Sequence, residues 1–168
     1  MKKSTVYKIC LTGLFSALAT IAFVIESLFP PLFMPGARIG VSNVFILLAT
    51  ATLGCASGFT TLTVKILLGS LFSGNISSIM YSLTAGLISL SIECILMFKV
   101  KRVSLIAISV AGAVINTTVQ NAVFCIISNT PEFFVYLPYL AVIGVISGLT
   151  VGFDVYLIIK KLPKKLLG

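Results

Sequence analysis

Histidine is absent from this chain of 168 residues, which removes the commonest metal ligand and the usual general base near neutral pH. Acidic residues number only four, against twelve basic ones. Four isolated carboxylates cannot supply the paired aspartates that hold magnesium against a diphosphate. No Gly-x-x-x-x-Gly-Lys-Ser/Thr stretch occurs, so ATP hydrolysis of the P-loop kind is excluded. The cysteines, Cys10, Cys55, Cys94 and Cys125, lie singly in or beside apolar runs without CxxC spacing. They are expected as small packing or lipid-facing residues, not as a disulfide or metal set. The lone serines have no evident activator. The chain therefore points to binding and movement, with no catalytic group, cofactor or metal.

What the chain has in quantity is apolar surface. Apolar residues make up 58% and charged ones 10%, with a mean hydropathy of +1.17; a soluble domain carries about a quarter charged residues. Ten of the twelve basic residues fall in three clusters: Lys2, Lys3 and Lys8; Lys99, Lys101 and Arg102; Lys160, Lys161, Lys164 and Lys165. Lys and Arg stay on the cytoplasmic side of a membrane, so each cluster marks an inner face. The net charge of +8 is then a matter of topology and not a nucleic-acid footprint. The expectation is one integral membrane domain over residues 1–168, with both termini inside. The first apolar run continues through Val24 and Ile25, too long for the core of a signal peptide, and is expected as a membrane helix.

A helix needs about 20 apolar residues to cross the hydrocarbon core. The breaks predict an all-α bundle of six transmembrane helices, over 9–29, 39–53, 58–72, 76–98, 103–127 and 133–159. The second and third are short, which fits either tilted or partly broken helices of the kind that mark a transporter's site, or ordinary short helices. Glu26, Arg38, Asn75 and Glu132 fall toward the outside.

Charges inside a bilayer cost roughly 2.5–3.5 kcal/mol each near its centre, so each needs a reason. Lys65 lies near the middle of the third span. Arg38 precedes the second, and its planar fork of donors suits a carboxylate or phosphate. Glu26, near the outer end of the first span, either neutralises Arg38 or Lys65 or meets a ligand. Glu93 and Asp154, near inner ends, are expected to pair with cytoplasmic lysines. Asn116 and Gln120 share a helical face with Gly112, as cavity lining or as hydrogen-bonding glue between helices. Asn43 and Asn75 lie where helix caps would fall, and Tyr81, Tyr136 and Tyr139 where an interfacial aromatic belt would. Gly13 and Ala17, with Ser16 and Thr20 beside them, form a small-residue strip that lets another helix approach closely.

Several stretches resemble a bacterial membrane family known both as heptaprenyl diphosphate synthase component I and as the Gx transporter family. They are Pro35-Gly36-Ala37-Arg38-Ile39-Gly40 with Asn43; Gly74-Asn75 followed by Tyr81-Ser82 and Ala85-Gly86; and Tyr136-Leu137-Pro138 followed by Gly144, Gly148 and Gly152. The chain departs from the family pattern on the fifth span. Asn116 and Thr117 stand where a His-Asn pair is usual, and Val119 replaces a glycine before Gln120. A neutral amide can hydrogen-bond a ligand there but cannot titrate.

That family is in turn similar to the S components of energy-coupling-factor transporters, six-helix substrate-binding proteins with both termini inside. The resemblance implies a small-molecule ligand, with an anionic group, bound under the first loop. Arg38 would be its anchor, Glu26 and Lys65 the electrostatic complement, and Asn43, Asn75, Tyr81, Asn116, Gln120 and Tyr136 further contacts. Gly13 and Ala17 would dock a transmembrane coupling subunit driven by ATPases. The other family name implies instead a non-catalytic partner of a separate prenyl synthase catalytic subunit, since nothing in these residues ionises or condenses allylic diphosphates. If Arg38 anchors an anion, Arg38→Ala should weaken ligand binding more than about tenfold while the folded protein is still recovered. Equal affinity of the two proteins in a titration would remove Arg38 from the site.

Overall fold

The computed structural model describes residues 5–28, 40–74, 76–100 and 103–161. Its regular structure is helical throughout. The order is α1 (Thr5–Leu28), α2 (Val41–Leu53), α3 (Cys55–Phe72), α4 (Ser78–Lys99), α5 (Leu105–Ser128), a 3-10 turn (Pro131–Tyr136) and α6 (Leu137–Lys161). Five helical segments are long and apolar enough to cross a membrane, the 3-10 turn and α6 counting as one. The exception is α2, with 13 residues. At about 1.5 Å per residue it reaches roughly 20 Å, short of the ~30 Å hydrocarbon core.

Local chemistry sets the boundaries. One residue, Gly54, separates α2 from α3, at φ 102° and ψ 169°, a conformation that only glycine adopts without strain. This brings the start of α3 to Cys55, three residues before the expected Gly58. Ser104 caps α5 by accepting the Ala107 N–H at 3.2 Å, and Asn129 ends that helix at φ 52°. The sixth span does not begin as an α-helix at Phe133. Pro131 opens the 3-10 turn, and α6 starts at Leu137 with Pro138 in its first turn, where a missing N–H costs nothing.

The short helix is the axis of the bundle. Ser42, Val44, Ile46, Leu47, Leu48, Ala49, Thr50 and Leu53 of α2 are all buried. Val44, Leu47 and Leu48 pack with Val151 and Val155 of α6, and Ile46 packs with Leu62 and Ile66 of α3 and Leu90 of α4. Protein surrounds α2 on most sides, so it can be shorter than a bilayer without exposing backbone to lipid. Large apolar side chains elsewhere point outward, among them Ile9 and Ile21 of α1, Phe72 of α3 and Ile146 of α6.

Three glycines at helical spacing on α6 bring it against the backbone of α5. A Cβ at Gly148 would stand 2.5 Å from Val110 Cα and 2.9 Å from the Ser109 carbonyl oxygen. At Gly152 it would stand 2.8 Å from Ile106 Cα, and at Gly144 3.1 Å from Val114 Cα. The reading of the cysteines as four single packing residues is corrected: Cys55 and Cys94 form a disulfide, with Cα atoms 6.1 Å apart. Their separation of 39 residues carries no local pattern, and only the packing of α3 on α4 brings them together. Cys10 and Cys125 are free, the first exposed and the second buried.

Gly148→Ala should destabilise the protein by about 1–3 kcal/mol, the range for overpacking against a fixed wall, and lower the detergent melting temperature followed by circular dichroism. Gly13→Ala, where an added Cβ would meet nothing within 4 Å, should leave it unchanged or slightly raised.

Candidate functional site: a polar chamber inside the bundle

All six α-helices contribute to one interior cavity of about 90 Å³. Its lining is unusual for the centre of so apolar a chain. On α4, Ser82, Gly86, Ser89 and Glu93 face it; on α5, Ser109, Gly112, Asn116 and Gln120. Each set repeats at three- or four-residue steps, which places it on one helical face. Lys65 enters from α3, Asn43 from α2, Glu26 from α1 and Ser147 from α6.

Lys65 is 6% exposed, a cation almost wholly withdrawn from solvent. Its Nζ donates to Asn43 Oδ1 at 2.7 Å and lies 5.6 Å from the centroid of the Phe23 ring, close enough for a cation–π attraction. Asn43 is therefore no helix cap: its side chain turns inward to Lys65, while its backbone N–H reaches the Gly40 carbonyl at 2.8 Å.

The capping role falls to Glu26. Its carboxylate accepts the Val41 N–H at 2.6 Å and the Ser42 hydroxyl at 3.0 Å. An anion there satisfies donors left open at the start of α2 and meets the positive end of the helix dipole. Both Glu26 oxygens are thus engaged away from Lys65.

Glu93 departs most from expectation. Instead of pairing with lysines at a helix end, it faces the chamber, within the field of Lys65. Its carboxyl occupies the space that a side chain at position 112 would need, so Gly112 is the notch that admits it. What lies against Gly112 is a carboxylate and not another backbone. Asp154 is exposed on α6.

The remaining candidates divide. Asn116 and Gln120 line the chamber, and Gln120 Nε2 also donates to Ser82 Oγ at 3.3 Å, so lining and interhelical bonding coexist. Tyr81 and Tyr136 belong to a separate aromatic row. Tyr81 meets Phe124 edge-on at 5.9 Å, Phe124 meets Phe133 at 5.6 Å, and Phe133 meets Tyr136 at 6.0 Å. Asn121, which spacing did not single out, is buried and donates to the Phe133 carbonyl at 3.2 Å, tying the 3-10 turn to α5. Arg38 and Asn75 lie outside the described residues.

The small-residue strip of α1 splits in two. Ser16 and Thr20 are buried, with Ser16 Oγ 3.4 Å from Thr61 Oγ1 of α3, while Gly13 and Ala17 are exposed. They border an open, mainly apolar groove of about 1010 Å³ between α1 and α3.

Sequence reasoning missed Glu93 and the serines of α4, although a signal existed. Ser82, Gly86, Ser89 and Glu93 recur on one face just as Gly112, Asn116 and Gln120 do.

The family model described as heptaprenyl diphosphate synthase component I matches residues 15–157. No curated protein and no solved structure matches the chain.

Glu26→Ala should cost about 1–3 kcal/mol of stability, because it strands the Val41 N–H and the Ser42 hydroxyl. Glu26→Gln, which keeps one acceptor oxygen, should recover part of that loss. Chemical unfolding in mixed micelles reads both, and equal stability of all three proteins would remove the capping role.

Proposed function

The chain belongs to the heptaprenyl diphosphate synthase component I family, and on that premise we propose a non-catalytic membrane component that binds a small polar molecule beside a separate catalytic synthase subunit. The observation that carries this reading is the chamber, lined by all six helices with polar and ionisable side chains among apolar ones. Buried polar groups not needed for packing are costly in an apolar bundle, and a ligand is the usual return. On this reading the catalytic subunit supplies the magnesium-diphosphate chemistry of prenyl transfer. A chain of seven isoprene units has many times the volume of the cavity. The chamber suits a headgroup or another small molecule, with any long tail left in the bilayer.

The topology that goes with this reading is six crossings of a bacterial cytoplasmic membrane, α2 included, with both termini inside. Lys99 in the last turn of α4 and Lys160 and Lys161 in the last turn of α6 support a shared cytoplasmic side. A second reading, import of the ligand as an S-component-like subunit, is favoured by the exposed Gly13 and Ala17 beside the α1–α3 groove. That face would seat a transmembrane coupling subunit.

Native mass spectrometry of the protein in mild detergent should show a discrete small-molecule adduct, kept by Ala17→Leu and lost by Lys65→Gln. Co-expression with the catalytic subunit should raise prenyl synthase activity in membranes at least several-fold. Adduct without any effect on synthase activity would turn the assignment to transport. Only heterogeneous lipid, in wild type and variants alike, would sink the binding role.

A further inference from the structure

We infer that Cys55 and Cys94 form a reversible thiol–disulfide site at the cytoplasmic end of the bundle, whose bond holds the chamber closed and whose reduction loosens it. The effect on the chamber rests on that cavity being a ligand site.

The depth of the pair is the first reason. Cys55 opens α3, and Cys94 stands within the last two turns of α4, which ends at Lys99. With Lys99 on the cytoplasmic side, the bond lies at that face. Thiols there are kept reduced, and disulfides that do form are as a rule transient, catalytic or redox-sensing. Both cysteines are only partly buried, so a small thiol can reach the sulfurs, the condition for exchange.

The second reason is what the bond spans. It clips the open end of the α3–α4 hairpin. At the other end the Ser70 and Ser78 hydroxyls are hydrogen-bonded at 3.1 Å, and between the two ends Gly86 lies against Leu62. Leu62, Ile66 and Leu90 also pack together with Ile46 of α2. These contacts hold the two helices without the disulfide, so its loss releases one end of a hairpin that stays folded. The released end has a joint in Gly54, at φ 102°, where only glycine moves without strain. Chamber walls lie along the same hairpin: Lys65 on α3, Ser89 and Glu93 on α4. Glu93 is the neighbour of Cys94 in the chain, so a shift of one carries the other.

The exchange balances with a monothiol of the glutathione type. Its thiolate attacks one sulfur, the S–S bond breaks, and the other sulfur leaves as a thiolate that takes a proton. A second thiolate then displaces the first from the mixed disulfide. The pair gains two electrons and two protons, and two monothiols become one disulfide, which reverses both steps when in excess.

The test uses membrane vesicles carrying the full chain with Cys10→Ser and Cys125→Ser, so that only the pair reports. Reduced glutathione, which does not cross the bilayer, is added and thiols are counted by maleimide mass shift. Inverted vesicles should show two labels per chain and right-side-out vesicles none, and oxidised glutathione should remove the labels again. In maltoside micelles the disulfide form should carry the small-molecule adduct at several-fold higher occupancy in native mass spectra than the reduced form. Cys94→Ser should match the reduced form under either condition, with circular dichroism showing it folded.

A bond that resists glutathione but yields to dithiothreitol after denaturation is a structural clip and overturns the inference. So do thiols that oxidised glutathione never joins, or reduction from the outer face alone. Reversible exchange with equal adduct occupancy in both forms overturns the link to the chamber and leaves the binding role standing. Exchange with no adduct in either form overturns the binding role, and the link with it.

Discussion

A buried cation organises the interior. Lys65 sits in the middle of an apolar helix, and withdrawing its charge from water costs several kcal/mol unless other groups answer it. The Asn43 oxygen, the Phe23 ring and the field of Glu93 provide that answer from three other helices. To do so, α1, α2, α3 and α4 must converge at one level, and their polar faces must turn inward. The apolar coat outside and the polar chamber inside are two consequences of this convergence.

The shortness of α2 follows from the same arrangement. A helix that supplies the core of the bundle and the acceptor for Lys65 does not need to span the bilayer by itself. It does need its first backbone donors satisfied in surroundings poor in water. Glu26 meets that need from the end of α1. An acidic residue that reads as a free electrostatic partner is, in the folded chain, part of another helix's terminus.

Glycine serves two separate purposes here. On α6, Gly144, Gly148 and Gly152 let two backbones touch, which maximises dispersion contact where no hydrophobic effect drives helices together. On α5, Gly112 admits a carboxylate. The first use stiffens the wall of the chamber, and the second furnishes its interior. Both look the same in sequence, as small residues on a helical stripe, because spacing reports which face is thin but not what fills the space.

The sequence by itself determined the helical class, the apolar exterior, the positions of most breaks and the presence of costly charges within the spans. These follow from local rules: hydrophobic run length, the backbone limits of proline and glycine, and the bias of Lys and Arg toward one side of a membrane. It also placed Lys65, Asn116 and Gln120 on faces that could line a cavity. Only the tertiary structure decided the partners. Asn43 bonds Lys65 instead of capping α2, Glu26 caps α2 instead of pairing with Lys65, Glu93 turns to the chamber instead of to the lysines, and Cys55 joins Cys94. Each of these joins residues on different helices. The physical reason is that helical periodicity fixes which face a side chain occupies, whereas its partner depends on which helix packs there and at what depth, and no local pattern in a chain of apolar helices encodes that depth.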